Sequence, residues 1–197
     1  MSKKTLNQNA KYVQKLINII EPNFIFSKNP INRLKPIDYN QNNFIKKDVQ
    51  LSALRKEINS IDNCNLRNMS KRLILGDGNL NSSIMFIGEA PGQLEENSGL
   101  TFQGETGSLL DKMLLAIDIK RENIYLTYSV NFKTPEDRKP TNQEINRYSF
   151  FLKKHISIIN PKIIILMGST AMQALTGISS KISNERGKWE EIILLNN

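Results

Sequence analysis

The sequence contains very few of the residues that form disulfides or metal sites. Its 197 residues include one cysteine, Cys64, one histidine, His155, and one tryptophan. A single cysteine excludes an intrachain disulfide and any metal site that needs several thiolates from this chain. His155 lies within FFLKKHISII, a helical pattern in which a lone histidine is typical of a surface or packing residue rather than a metal ligand.

Long apolar runs are also missing from the sequence. No run reaches the roughly 18 residues that a membrane-spanning helix needs. The first residues, MSKKTLNQNAKY, lack the apolar segment of a secretory signal, so we expect a cytoplasmic protein with no membrane partner. The length suits one domain, and the composition, 39% hydrophobic and 23% charged, is that of an ordinary globular protein.

Acidic residues are outnumbered, with 19 Asp and Glu against 27 Lys and Arg, a net charge of +8. The first fifty residues hold nine basic and three acidic residues, and so account for most of the excess. Positive charge favours a polyanionic partner such as DNA, although a lysine-rich leader that only aids solubility explains the pattern equally well. We predict a basic, Asn- and Pro-rich extension over 1–45 and one domain over 46–197.

From residue 82 onward, apolar runs alternate with helical patterns. The runs are SIMFIG (83–88), NIYLTYSV (123–130) and PKIIILMG (161–168); helices are predicted at 47–60, 105–118, 142–159 and 169–177. This alternation predicts a three-layer α/β/α sandwich around a central, mainly parallel sheet. Ligands of such sheets bind at the carboxyl ends of the strands. Chemistry is therefore expected in the loops that begin at Gly88, Tyr128 and Gly168.

The first of these loops is GEAPGQLEENSGLTFQG (88–104). It lacks the Gly-Lys-Ser/Thr ending of a P-loop and the G-x-G-x-x-G of a dinucleotide site. What it does present is a carboxylate at the strand end, Glu89, followed by the stiff Pro91 and the small Gly92. Phe102 follows among small and polar neighbours, where an aromatic side chain serves either as a core residue or as a platform for a flat ligand. Both readings stay open on spacing alone.

Several separated motifs together resemble one known family. They are GEAPGxxEExxGxxFxGxxGxLLDxML, NIYLT, PEDRKPT, INPKIIILMGSTAMQALTG and RGKW, preceded by NCNLRNMSKRLILGDGNLNSSIMFIGEAPG. In order and spacing, over roughly residues 61–190, they resemble the family 4 branch of the uracil-DNA glycosylase superfamily. The resemblance implies an α/β/α sandwich that hydrolyses the N-glycosidic bond of uracil in DNA and so starts base excision repair.

The resemblance also implies roles for individual residues. Glu89, the catalytic residue, forms the floor of a uracil pocket with Ala90 and Pro91, and Phe102 stacks on the uracil ring. Tyr128 occupies the position of the amide that reads the base. The implied DNA contacts are Lys133, Arg138, Ser169 and Arg186. The expected partner is uracil-containing DNA, and the expected state is a monomer.

Four departures from the family pattern carry expectations of their own. Of the four cysteines that hold an iron–sulfur cluster, only Cys64 is present, and Ile61, Phe132 and Tyr148 occupy the other positions. We therefore predict no cluster, no metal and no other cofactor, with a packed apolar plug instead. Tyr128 replaces an asparagine, Asp137 replaces a neutral amide, and the family's final strand, helix and His-Pro-Ser-like motif are expected to be missing before Asn197.

Three hypotheses follow for the function. The first is an active uracil-DNA glycosylase. The second is a catalytically impaired or inactive DNA-binding relative of the same fold. The third is a general nucleotide- or phosphate-binding α/β protein, which the failed phosphate motifs disfavour.

Overall fold

The computed structural model describes the backbone of residues 39–192 and the side chains of residues 46–192. The predicted basic extension therefore lies outside the described residues, apart from residues 39–45, which are helical. The helix predicted at 47–60 is longer than expected and spans Tyr39–Asn59. It crosses the predicted domain boundary at residue 46. None of the helices in the described part is long and apolar enough to cross a bilayer.

Helices and strands alternate along the domain. The helices are Tyr39–Asn59 (α1), Asn65–Met69 (α2), Gln93–Ser98 (α3), Gly104–Ala116 (α4), Asn142–Ile159 (α5), Ser169–Thr176 (α6) and Ile182–Glu185 (α7), with 3₁₀ turns at Arg121–Asn123 and Pro135–Asp137. The strands are Gly76–Gly78 (β1), Ile84–Gly88 (β2), Tyr125–Tyr128 (β3) and Ile163–Leu166 (β4).

The four strands form one sheet in the order β1-β3-β2-β4. The central strand β2 is parallel to both β3 and β4, and β1 pairs antiparallel with β3 at the edge. In this register Gly88 lies opposite Tyr128, and Ile87 lies opposite Leu166. The three apolar runs therefore end at one edge of the sheet, as the sequence predicts.

Successive side chains along the strands point to opposite faces of the sheet and belong to two separate hydrophobic clusters, one on each face. Met85, Ile87 and Tyr125 pack with α1, α5 and α6 through residues such as Leu54, Leu152 and Ala171. Phe86, Leu126 and Tyr128 pack with Leu110 and Leu114 of α4. Helices thus cover both faces of a mainly parallel sheet, and the predicted three-layer α/β/α architecture is confirmed.

Helix α5 begins at Asn142 because Thr141 and Glu144 form a reciprocal capping box. Its buried side includes His155, whose Nε2 lies 2.9 Å from the Tyr125 hydroxyl and whose Nδ1 lies 3.4 Å from Thr127 Oγ1. Burial lowers the pKa of His155 to about 3, so the imidazole is neutral at physiological pH. The one histidine is a hydrogen-bonded packing residue of the core.

Candidate active site

The carboxyl ends of β2, β3 and β4 form a rim on which the loops of interest begin. Pairing between β2 and β3 continues past their ends, because the amide of Ser129 donates to the Gly88 carbonyl at 2.9 Å. The amide of Val130 likewise donates to the carbonyl of Glu89 at 3.1 Å. The backbone of Glu89 is therefore held as an extension of the sheet rather than as part of a free loop.

The Glu89 side chain is held by a residue at the start of helix α6. The hydroxyl of Thr170 donates to Glu89 Oε2 at 2.5 Å, a short bond typical of a charged acceptor. Thr170 is the second residue of α6 and is 5% exposed, whereas Glu89 is half-buried. No residue between 46 and 192 hydrogen-bonds to Oε1, which leaves that oxygen available to a water molecule. The sequence placed the Gly168 loop on the same rim but did not single out Thr170.

A second carboxylate, Glu95, holds the two ends of the Gly88 loop together. Its Oε2 accepts from the amide of Gly92 at 2.9 Å, and its Oε1 accepts from the amide of Gln103 at 2.8 Å. Glu95 is only 8% exposed, so these two amides supply the hydrogen bonds that its buried charge needs. The glutamate at position 95 is thus part of the scaffold of the loop.

The last part of the loop is held from both sides of its backbone. Asp77 of β1 accepts from the amide of Thr101 at 2.5 Å. The guanidinium of Arg121 donates to the carbonyls of Thr101 at 2.6 Å and Phe102 at 3.2 Å. A side chain on Gly107 would place its Cβ 1.8 Å from the Phe102 carbonyl oxygen, so only glycine lets α4 approach this closely.

Phe102 and Tyr128 lie against each other above Gly88. Their ring centroids are 4.8 Å apart with an interplanar angle of 29°, an offset-stacked geometry. A Cβ at Gly88 would lie 2.7 Å from Phe102 Cζ and 2.9 Å from Tyr128 Cδ1, so the missing side chain makes room for both rings. The amide of Phe102 donates to the Tyr128 hydroxyl oxygen at 2.8 Å. Burial raises the pKa of Tyr128 well above its ordinary value.

Of the predicted base-binding residues, Phe102 and Tyr128 contact each other at the end of β2. Glu89, Ala90 and Pro91 follow Gly88 directly, Pro91 is buried, and Ala90 packs against the cluster of the opposite sheet face. Phe102 is also a buried residue of the hydrophobic core. Its burial confirms the reading of Phe102 as a core residue, and the platform for a flat ligand stays a prediction.

Two of the three cations predicted to contact DNA, Lys133 and Arg138, have internal carboxylate partners. Lys133 Nζ lies 3.2 Å from Asp137 Oδ1. Arg138 donates to both carboxylate oxygens of Glu144, at 2.9 and 2.7 Å, and the pair lowers the pKa of Glu144 to about 2. Arg186 is exposed just after α7. The sequence did not predict the carboxylate partners.

Ser169 lies at the start of α6 and lines a surface cavity of about 380 Å³. The other lining residues are Gln173, Ser179, Ser180, Lys181, Ile182 and Ser183. Hydroxyls, one amide and one ammonium are groups that bind phosphate oxygens. The cavity is next to the rim, because Ser169 directly precedes the Thr170 that binds Glu89.

The four positions that hold the family's iron–sulfur cluster come together in the core. The sulfur of Cys64 lies 3.1 Å from the Tyr148 hydroxyl, and the Phe132 ring meets Tyr148 edge-on with centroids 6.2 Å apart. Ile61 packs against the same cluster. One thiol, one phenol and two hydrocarbon side chains do not fit a cluster that needs four thiolates or close substitutes. Within residues 46–192 no group of three or more His, Cys, Asp or Glu has metal-binding geometry.

Comparisons with known proteins identify the family of the chain. The sequence model of the uracil DNA glycosylase superfamily matches residues 75–196. A type-4 uracil-DNA glycosylase from Archaeoglobus fulgidus is 32% identical over 146 residues, which cover 72% of this chain and 73% of that protein. Another from Thermotoga maritima is 36% identical over 125 residues, covering 63% and 65% of the two chains.

A further similarity is to part of a much larger protein. A DNA polymerase of Bacillus phage SP01 is 31% identical over 128 residues, which are 64% of this chain and 14% of the polymerase. The family match covers most of the described domain, including all four strands and the rim. On this evidence the chain belongs to the uracil DNA glycosylase superfamily.

Proposed function

We propose that this protein hydrolyses the N-glycosidic bond of uracil in DNA. The observation that carries the proposal is the carboxylate of Glu89, held at the carboxyl edge of the sheet by Thr170 and directly following the Gly88 over which the Phe102 and Tyr128 rings lie. The family membership and the names of the similar type-4 glycosylases support the same reaction.

The chemistry requires a group that holds water near the sugar. In the reaction, the bond between C1′ and the uracil nitrogen breaks with its electron pair going to the base, and water oxygen bonds to C1′. The transition state has positive charge on the sugar, which a nearby carboxylate stabilises. Glu89 Oε2 is occupied by Thr170, so Oε1 is the atom we assign to orienting the water and accepting its proton.

The remaining assignments concern the DNA. We assign Ala90, Pro91 and Phe102 to the walls of the base slot and Tyr128 to the position that faces Phe102 in the slot. Lys133, Arg138, Ser169 and Arg186 are assigned to contacts with DNA phosphates. Phosphate contacts position a protein on DNA without reading sequence. The proposal includes a monomeric, cytoplasmic protein. It also includes the absence of an iron–sulfur cofactor, because Cys64 is the only cysteine in the chain.

A single-turnover assay tests the proposed reaction. The purified protein, in excess, is incubated with a labelled oligonucleotide that contains one uracil, in single- and double-stranded form, and abasic sites are revealed by alkaline cleavage. We expect cleavage at uracil, and we expect Glu89→Gln to lower its single-turnover rate by about 10²–10⁴-fold to a small residual rate. Glu105→Gln makes the same chemical change at an exposed position of α4 and is the matched control. No cleavage by the unaltered protein on either substrate would reject the proposed reaction.

A further inference from the structure

The stacking position against Phe102 is already filled by a residue of the protein itself. Tyr128 lies nearly parallel to Phe102, with centroids 4.8 Å apart. Phe102 is 5% exposed and Tyr128 is 4% exposed, so protein atoms cover the faces of both rings. A base that stacks on an aromatic ring needs a free face with a similar centroid separation. The described arrangement offers no such face.

The position of Tyr128 is held by three separate interactions. Its hydroxyl oxygen accepts from the amide of Phe102 at 2.8 Å. Its ring contacts the strand end at Gly88, where a side chain would collide with it. It also packs in the cluster that contains Leu110 and Leu114 of α4. These contacts define one preferred place for the ring rather than a mobile side chain at the surface.

The phenol of Tyr128 resembles a pyrimidine in two features that matter for the position beside Phe102. Both are flat six-membered rings, and both carry an oxygen at the ring edge that accepts a hydrogen bond. The Phe102 amide now donates to the Tyr128 oxygen and would be free to donate to a carbonyl oxygen of a base if Tyr128 moved away. The nearest following amide side chain, Asn131, is 4% exposed, and its nitrogen faces the carbonyls of Ile74 at 3.1 Å and Leu75 at 3.5 Å.

We propose that Tyr128 occupies the base slot of this protein and that its ring must leave the Phe102 face before a pyrimidine can bind there. The inference deepens the proposed function and rests on it for the identity of the base. Tyr128 therefore determines access to the slot. Because a base can bind only while the slot is open, the apparent affinity is the affinity of the open slot multiplied by the fraction of time that the slot is open.

Binding of free uracil tests the proposal without requiring catalysis. Uracil is titrated into the unaltered protein and into Tyr128→Ala, Tyr128→Asn and Tyr128→Phe, with ligand-observed NMR as the readout. Since removing the ring removes a closed state, Tyr128→Ala and Tyr128→Asn should bind uracil at least about tenfold more tightly than the unaltered protein. Tyr128→Phe keeps the ring and should show no such gain.

Each outcome bears on the proposal. Binding to the unaltered protein as tight as to either ring-free variant overturns it, and circular dichroism melts identify the variants that are folded. If neither ring-free variant folds, the unaltered protein still decides, because submillimolar uracil binding by it contradicts a filled slot. Gain of uracil binding without cleavage of DNA by any variant upholds the filled slot and rejects the glycosylase reaction. Equal cleavage by the unaltered protein and the ring-free variants rejects the filled slot and leaves the reaction standing.

Discussion

The hydroxyl of Thr170 donates to the carboxylate of Glu89, and the two residues are 81 positions apart in the sequence. The bond connects the end of β2 with the first turn of α6, and within residues 46–192 the other carboxylate oxygen of Glu89 has no hydrogen-bond partner. Thr170 touches no reacting atom in the proposed mechanism and is therefore a positioning residue.

Thr170→Val, which keeps the shape of the side chain and removes the hydroxyl, should slow uracil excision. Misplacement of a catalytic group by about 1 Å costs up to about a hundredfold in rate, so a fall of about ten- to a hundredfold in single-turnover rate is expected. Thr170→Ser, which keeps the hydroxyl, should restore most of the rate. DNA binding measured by fluorescence anisotropy should change little, because Thr170 is buried.

A double mutant separates positioning from general destabilisation. If Thr170 acts through Glu89, then Thr170→Val should have no further effect on rate once Glu89→Gln is present. An additional loss of the same size in that background would contradict the assignment.

Glu95→Gln should destabilise the loop that carries Phe102. The carboxylate accepts from the amides of Gly92 and Gln103, whereas an amide side chain has one acceptor and would point a donor at the other N–H. Leaving a buried donor unpaired costs about 1–3 kcal/mol. Urea denaturation should detect a loss of this size, and the exposed Glu105→Gln should change the unfolding free energy by much less. Equal effects of the two substitutions would show that Glu95 does not hold the loop.

Stability should fall in mild acid because of His155. Burial lowers its pKa in the folded protein to about 3, and its ordinary value in an unfolded chain is 6.5. Between these two values the unfolded chain binds more protons than the folded protein, so its contribution is complete above pH 6.5 and decreases as the pH falls. The slope from this residue approaches about 1.4 kcal/mol per pH unit.

Denaturation curves collected from pH 7.5 to pH 4 measure this slope. His155→Gln should flatten it, although the glutamine variant is expected to be less stable at pH 7.5 because the bonds to Tyr125 and Thr127 change. A slope that is the same in both proteins would assign the acid sensitivity to other groups.

Glu144→Gln should strengthen DNA binding. Glu144 neutralises Arg138 through two hydrogen bonds, and glutamine removes that charge while it remains suitable for the capping box of α5. If Arg138 contacts a phosphate, freeing it should raise affinity and steepen the dependence of log K on log salt by up to about 0.9. Fluorescence anisotropy over a salt series provides the measurement.

Two control proteins show whether the gain in DNA affinity comes from Arg138. Arg138→Ala should remove the gain, and deleting residues 1–38 measures the share of the slope that comes from the basic leader without cutting into α1. An unchanged slope in Glu144→Gln would place Arg138 away from the phosphates.

The architecture was accessible from the sequence because it depends on local patterns. Apolar runs such as IMFIG and IIIL separated by helical periods are sufficient to predict a parallel sheet with its loops on one rim. The edge strand Gly76–Gly78 was not predictable, since its three residues, GDG, carry no strand preference and are extended only because they pair with β3. The start of α1 at Tyr39 was also missed, because an Asn-rich segment favours loops in isolation.

The candidate site likewise contains features that the sequence indicated and features that it did not. The position of Glu89 after an apolar run indicated a carboxylate at the rim, but its partner Thr170 lies on another loop and no local pattern connects them. The small neighbours of Phe102 suggested a ligand platform, but no local pattern showed that Gly107 allows α4 to approach the Phe102 carbonyl. The place of the Tyr128 ring depends on Phe102, Gly88 and α4 together, and such packing is a property of the folded chain alone.

The burial of Cys64 against Tyr148 also provides a built-in probe of local unfolding. The only thiol in the chain is 2% exposed, so a thiol-specific reagent can reach it only when the surrounding core opens. The labelling rate under native conditions therefore measures the opening free energy at the junction of α2 and α5, with no engineered cysteine and no background from a second one. Every variant discussed above carries this probe already.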